Sequence, residues 1–224
     1  MNKTCILLLG LMLFSNAVIA AKSNLNTNRK ITDKAEINTM VFNEEFVKRD
    51  VYKALAWYLS AAKQGDADAQ TSVGRIYHNG SYGIDRDFNK ANEWFLKAAK
   101  QNNKDAQFYL AFAYFNGQGF DENIKKSIYW YQKSANQGHA VAQHDLSMMY
   151  FSGDGVKKDM IKAREWMTRS ANQDLAVAQF ALAEMYENGE GGPVNIDLAK
   201  YWYKKSTENG LSWGYIKLEE LSEF

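Results

Sequence analysis

The chain has 224 residues, with 27 basic and 26 acidic side chains, one proline, one cysteine and 46% hydrophobic residues. A formal charge of +1 argues against the basic excess that nucleic-acid binding needs. The three histidines, His78, His139 and His144, show no metal-ligand spacing with one another or with cysteine, and one proline leaves long helices unbroken. These features predict an all-α protein without metal or cofactor.

Residues 1–21 read as an export signal. Lys3 supplies the basic start, Ile6 to Phe14 form an apolar stretch too short to span a bilayer, and Val18 and Ala20 suit the −3 and −1 positions of a cleavage site. The alternative is an uncleaved anchor helix. Cys5 lies inside this segment, so the processed chain has neither disulfide nor thiol chemistry. The expected destination is the periplasm or the cell exterior, with no membrane span after cleavage. Residues 22–48 contain a polar lead-in, Lys22 to Lys30, and then a degenerate capping helix from Thr32, with Ile37, Met40 and Val41 at helical spacing.

From 49 to 218 one unit is written four to five times. Asp105 to Gly138 reads DAQFYLAFAYFNGQGFDENIKKSIYWYQKSANQG, and Val141 to Asp174 reads VAQHDLSMMYFSGDGVKKDMIKAREWMTRSANQD. Trp94, Trp130, Trp166 and Trp202 stand 36 residues apart, as do Tyr114, Tyr150 and Tyr186; Tyr77 precedes Tyr114 by 37, because the first loop is one residue longer. Such a period predicts a solenoid of stacked helical hairpins.

In each first helix an Ala-Gln pair is followed by Val73, Leu110, Leu146 or Leu182, then by a small residue (Gly74, Ala111, Ser147, Ala183), and then by the tyrosine. The spacing puts them on one face, and the small residue admits a neighbouring helix. Glycines 80, 117, 153 and 189 end these helices. The Gly-rich loops lack the following Lys-Ser/Thr of a phosphate cradle. Each second helix opens on Asp50, Asp87, Asn123, Asp159 or Asn195, all N-cap types, seven residues before its tryptophan. Eight residues after the tryptophan stand Gly65, Asn102, Gly138, Asp174 and Gly210, which tolerate a left-handed turn. Residues 211–224 turn polar at Glu219, Glu220 and Glu223 and read as a C-terminal capping helix.

These residues resemble the Sel-1-like repeat family, relatives of the tetratricopeptide repeats. Gly153-Asp154-Gly155-Val156, Lys90-Ala91, Trp130-Tyr131 and Lys97-Ala98-Ala99 match its pattern. The resemblance implies an α-α superhelix whose first helices line a concave groove, and a non-enzymatic scaffold for a protein or peptide partner. Small exported members also resemble immunity proteins against a lipase-type effector toxin, and others are virulence factors secreted towards a host. A cysteine-rich branch carries claims of β-lactamase activity; this chain lacks those cysteines and any activated Ser-x-x-Lys, so no catalytic residue is expected.

Counted from the Gln, positions +1, +5 and +8 point away from the buried stripe. They are Thr71, Arg75 and His78; Phe108, Phe112 and Phe115; His144, Met148 and Phe151; and Phe180, Glu184 and Glu187. The middle of the array is thus aromatic and its ends charged. If exposed, this is an interaction surface; if neighbouring hairpins cover it, it is core.

Overall fold

The computed structural model describes residues 44–80 and 83–222, with side chains from residue 51 onward. The export signal at 1–21, and the lead-in and capping helix up to residue 43, lie outside the described residues. Among these the chain forms ten α-helices: α1 (Glu44–Lys63), α2 (Ala67–Asn79), α3 (Phe88–Lys100), α4 (Lys104–Asn116), α5 (Ile124–Asn136), α6 (Ala140–Ser152), α7 (Met160–Ala171), α8 (Ala176–Asn188), α9 (Ile196–Glu208) and α10 (Trp213–Glu220). The compact unit spans Leu55–Phe224. In it α2/α3, α4/α5, α6/α7 and α8/α9 are hairpins; each second helix also packs on the first helix of the next hairpin, and α10 packs on α9.

Local chemistry sets the helix ends. Asp87, Asn123, Asp159 and Asn195 each accept a hydrogen bond from the amide three residues on, at 2.9–3.0 Å. Asp50 does not belong with them. It lies within α1, which starts at Glu44. The other four follow a glycine-bearing loop that brings the chain in extended, whereas Glu44 to Arg49 contains neither glycine nor proline to break a helix. First helices take a different set of caps: Asp66, Asn103 and the His139 ring accept from Ala69, Ala106 and Ala142, while Leu175 makes no side-chain cap. The inter-hairpin turns have positive φ at Gly65, Asn102, Gly138, Asp174 and Gly210.

Two devices join one hairpin to the next. The first is ring stacking: Phe95 of α3, fully buried, stacks on Tyr109 of α4, and it is wedged from within its own hairpin by Gly74 of α2, where an added Cβ would stand 2.5 Å from the ring. The second is a chain of amides. Gln70, Gln107, Gln143 and Gln179, all buried, donate Nε2 to the carbonyls of Ala62, Ala99, Ala135 and Ala171 at the end of the preceding second helix. Their Oε1 atoms accept from Gln101, Gln137, Gln173 and Asn209 of the following hairpin turn at 2.7–2.9 Å. At a helix C-terminus the carbonyls lack helical partners; here each of these four accepts a turn amide, from Gly65, Asn102, Gly138 or Asp174, and the next hairpin's Gln adds a second donor at every joint.

Candidate interaction surface

The face of the first helices turned away from the second helices is built from four positions, −2, +2, +5 and +9 from the Gln. In α2 these are Asp68, Ser72, Arg75 and Asn79; in α4, Asp105, Tyr109, Phe112 and Asn116; in α6, Val141, Asp145, Met148 and Ser152; in α8, Val177, Ala181, Glu184 and Asn188. Only +5 coincides with the positions read from the sequence. At about 100° per residue, −2 and +5 lie almost opposite the buried stripe, +9 and +1 lie about 40° to either side of that direction, and +2 and +8 lie farther round, where Tyr109, Asp145, His78 and Phe115 are buried. That arithmetic, applied to every position, finds −2 and +9.

The consequence for the expected groove is a correction. Arg75 is exposed, and Phe108, Met148, Phe151, Phe180 and Glu184 are half-buried, but Phe112, Phe115 and His144 are buried, with 9%, 4% and 4% of their surface exposed. Thr71 and His78 are buried as well. His78 sits among the rings of Phe88, Tyr109 and Phe112, and burial lowers its pKa. Phe108 is stacked on His139 at 4.6 Å, Phe180 meets Tyr203 edge-on at 5.1 Å, and Lys158 lies over Phe151. Lys90, Lys126 and Lys162 lie over Tyr77, Tyr114 and Tyr150 within their own hairpins, and Arg164 of α7 reaches Tyr186 of the next.

Polar groups on this wall are held by their neighbours. His144 Nδ1 is 2.9 Å from Asp145 Oδ1, and His139 Nε2 is 3.6 Å from Asp105 Oδ1. Burial holds the His139 ring below the ordinary imidazole value, against the nearby charges of Asp105 and Asp145 and together with that of Lys104. Tyr203 donates to Glu187, which also lies 3.5 Å from Lys217. Burial pushes the Glu184 carboxyl up, opposed by Lys217. Such a wall can hold a partner by hydrogen bonds, ion pairs and shallow apolar contact. Among the described residues no group of three or more His, Cys, Asp or Glu side chains is placed to hold a metal ion, and no helix is long and apolar enough to cross a membrane.

The charge reading also needs correction, since the near-zero total conceals a separation by layer. The second helices α3, α5, α7 and α9 carry twelve Lys or Arg against four Asp or Glu. The first helices α2, α4, α6 and α8 carry two basic side chains, Arg75 and Lys104, against five acidic ones. Binning charges by position in the repeat, instead of summing them, exposes this.

Comparison with known proteins agrees with the repeat. The Sel1 repeat model matches residues 40–66, 67–103, 104–139, 140–175 and 176–211. A crystal structure of a Sel1 repeat protein from Oxalobacter formigenes is 36% identical over 73% of this chain, with a TM-score of 0.67. A protective antigen present in uropathogenic Escherichia coli strains, with an SLR fold, is 32% identical over 71% of this chain, with a TM-score of 0.68. The chain spans 65% and 34% of the length of those two proteins. No curated protein matches.

Proposed function

We propose, because this chain belongs to the Sel1-repeat family, that it is a non-enzymatic scaffold holding a protein or peptide segment along the outward wall of its first helices. Repeats of this family mediate protein–protein interaction, and the helical hairpins supply the fold for that role. The observation that carries the reading is the +5 row: Arg75 exposed at one end, Met148 half-buried in the middle and Glu184 half-buried at the other end, at the same position of the first helices α2, α6 and α8, with Phe112 of α4 buried between them. A partner segment would meet a guanidinium, then a polarisable apolar side chain, then a carboxylate. Met adapts to differently shaped apolar anchors. Export through residues 1–21 belongs to the same reading and rests on Lys3, the apolar stretch Ile6 to Phe14 and the small residues that follow.

The burial of Phe112 changes how this is tested, since a charge there would disturb the fold before it disturbed a partner. The chain processed after residue 20 is immobilised and used for affinity capture from an extract of the producing cells, with captured proteins identified by mass spectrometry. A partner held by the parent chain should be lost by the double variant Arg75→Glu, Glu184→Lys, whose helical circular dichroism should match the parent; Met148 is kept, because it packs against the core between α7 and α8. Retention of the same partner by the variant refutes the wall as its seat. The identity of the captured protein separates a general scaffold from an immunity role, where it would be a co-encoded toxin, and from a host-directed role, where capture would require host extract.

A further inference from the structure

The second-helix layer presents a surface that the first-helix wall does not account for. Lys97, Lys133 and Arg169 occupy the same position in three successive hairpins, three residues beyond the tryptophan. Their cationic groups lie over the tryptophan rings: Lys97 over Trp94 at 4.1 Å, Lys133 over Trp130 at 5.5 Å and Arg169 over Trp166 at 4.4 Å. Among the described residues none of these three takes part in an ion pair, and Glu93 and Glu165 stand one helical turn before Lys97 and Arg169. Tyr129 and Tyr201, each 50% exposed, precede their tryptophans and meet them edge-on. The layer as a whole carries twelve basic against four acidic side chains.

We propose that the second-helix layer is a docking surface for an anionic lipid bilayer, with Lys97, Lys133 and Arg169 meeting the lipid phosphates and Tyr129 and Tyr201 settling at the headgroup level. Charge complementarity selects a polyanionic surface, because basic side chains close to anionic lipid add their attractions. The aromatic complement selects among polyanions. Tyrosine and tryptophan favour the membrane–water interface, where one end of the ring is apolar and the other wet. Base stacking on nucleic acid needs free ring faces, and here the cations already cover one face of Trp94, Trp130 and Trp166. The contact is peripheral, made by side chains of the second helices, and the first-helix wall plays no part in it.

The test is co-sedimentation of the full processed chain with vesicles of equimolar phosphatidylglycerol and phosphatidylcholine, and with vesicles of phosphatidylcholine alone. Binding is expected to the anionic vesicles only and to weaken as salt is raised. Each basic side chain near such a surface contributes about fivefold. The variant Lys97→Gln, Lys133→Gln, Arg169→Gln should therefore partition about a hundredfold less strongly at low salt. A second variant, Glu93→Lys with Glu165→Lys, adds charge at two exposed positions of the same layer and should tighten binding by at least about tenfold. Equal binding to both vesicle types, no response to either variant, or binding of duplex DNA in place of vesicles would each overturn the proposal.

Discussion

Replacing Gln143 by alanine tests the joint between the α4/α5 and α6/α7 hairpins. Its Nε2 donates to the Ala135 carbonyl at 3.0 Å in a buried setting, and its Oε1 accepts from Gln173 at 2.7 Å. Truncation removes that donor while the Ala135 carbonyl keeps the Gly138 amide at 3.0 Å, so the lost bond costs about 0.5–1.5 kcal/mol. Loss of the Gln173 bond adds about 0.5–1.5 kcal/mol, kept small because the exposed Gln173 amide returns to water. One buried methylene adds about 0.8 kcal/mol. The sum is about 2–4 kcal/mol, a large part of the stability of an ordinary domain. Gln173→Ala keeps the Ala135 bond but takes the donor from Gln143 Oε1; with the exposed Gln173 side chain gone, water can reach that oxygen, and the cost should be about 0.5–1.5 kcal/mol. Urea unfolding followed by circular dichroism compares the two. Hydrogen exchange locates the damage, which should fall on the last turn of α5 and the first turns of α6, since contacts in a solenoid are made with neighbours. If Gln143→Ala costs no more than Gln173→Ala, the buried amide chain is not what couples the hairpins.

Other perturbations address separate features. Gly74→Ala should destabilise by about 1–3 kcal/mol in thermal melts, because the new methyl meets a Phe95 ring that cannot retreat from Tyr109; Ala111→Gly, at the same position of the next hairpin, should lower stability by a cavity and not by a clash. Acid should weaken the fold through His78 and His139, whose folded values lie below the ordinary 6.5 because burial disfavours the charged ring. Stability from these groups is complete above 6.5 and is lost as pH falls from there towards the lowered folded values. His139→Asn, which copies the Asn103 cap, should reduce the loss seen on melting at pH 5.5 relative to pH 7.5. Arg164 donates to the carbonyls of Met185, Glu190 and Gly192 while lying over Tyr186. Arg164→Lys should therefore speed amide exchange around residues 189–193, a change that a role in surface charge alone would not produce.

Residues whose role repeats were legible in the sequence; those whose role depends on a neighbour were not. Helix ends at Asp87, Asn123, Asp159 and Asn195 follow from side chains acting on their own backbone three residues away. Asp50 carries the same residue type and fails, since a cap also needs the chain before it to arrive extended, and Glu44 to Arg49 are helical. Likewise Phe115 and His144 are on the outward half of their own helices yet buried, by packing that no single-helix projection includes. Asp145 reads as a misplaced charge until His144 is seen 2.9 Å away. The separation of charge escaped for a different reason: a total cancels what alternation between layers keeps apart.

That alternation gives the molecule a polarity across its thickness. An object basic on one layer and acidic on the other turns in any local electric field, with the second helices rotating towards negative charge and the first helices away from it. Near an anionic boundary the Arg75–Glu184 wall would therefore look outward into solution, accessible to a diffusing protein, without a tether or hinge to aim it.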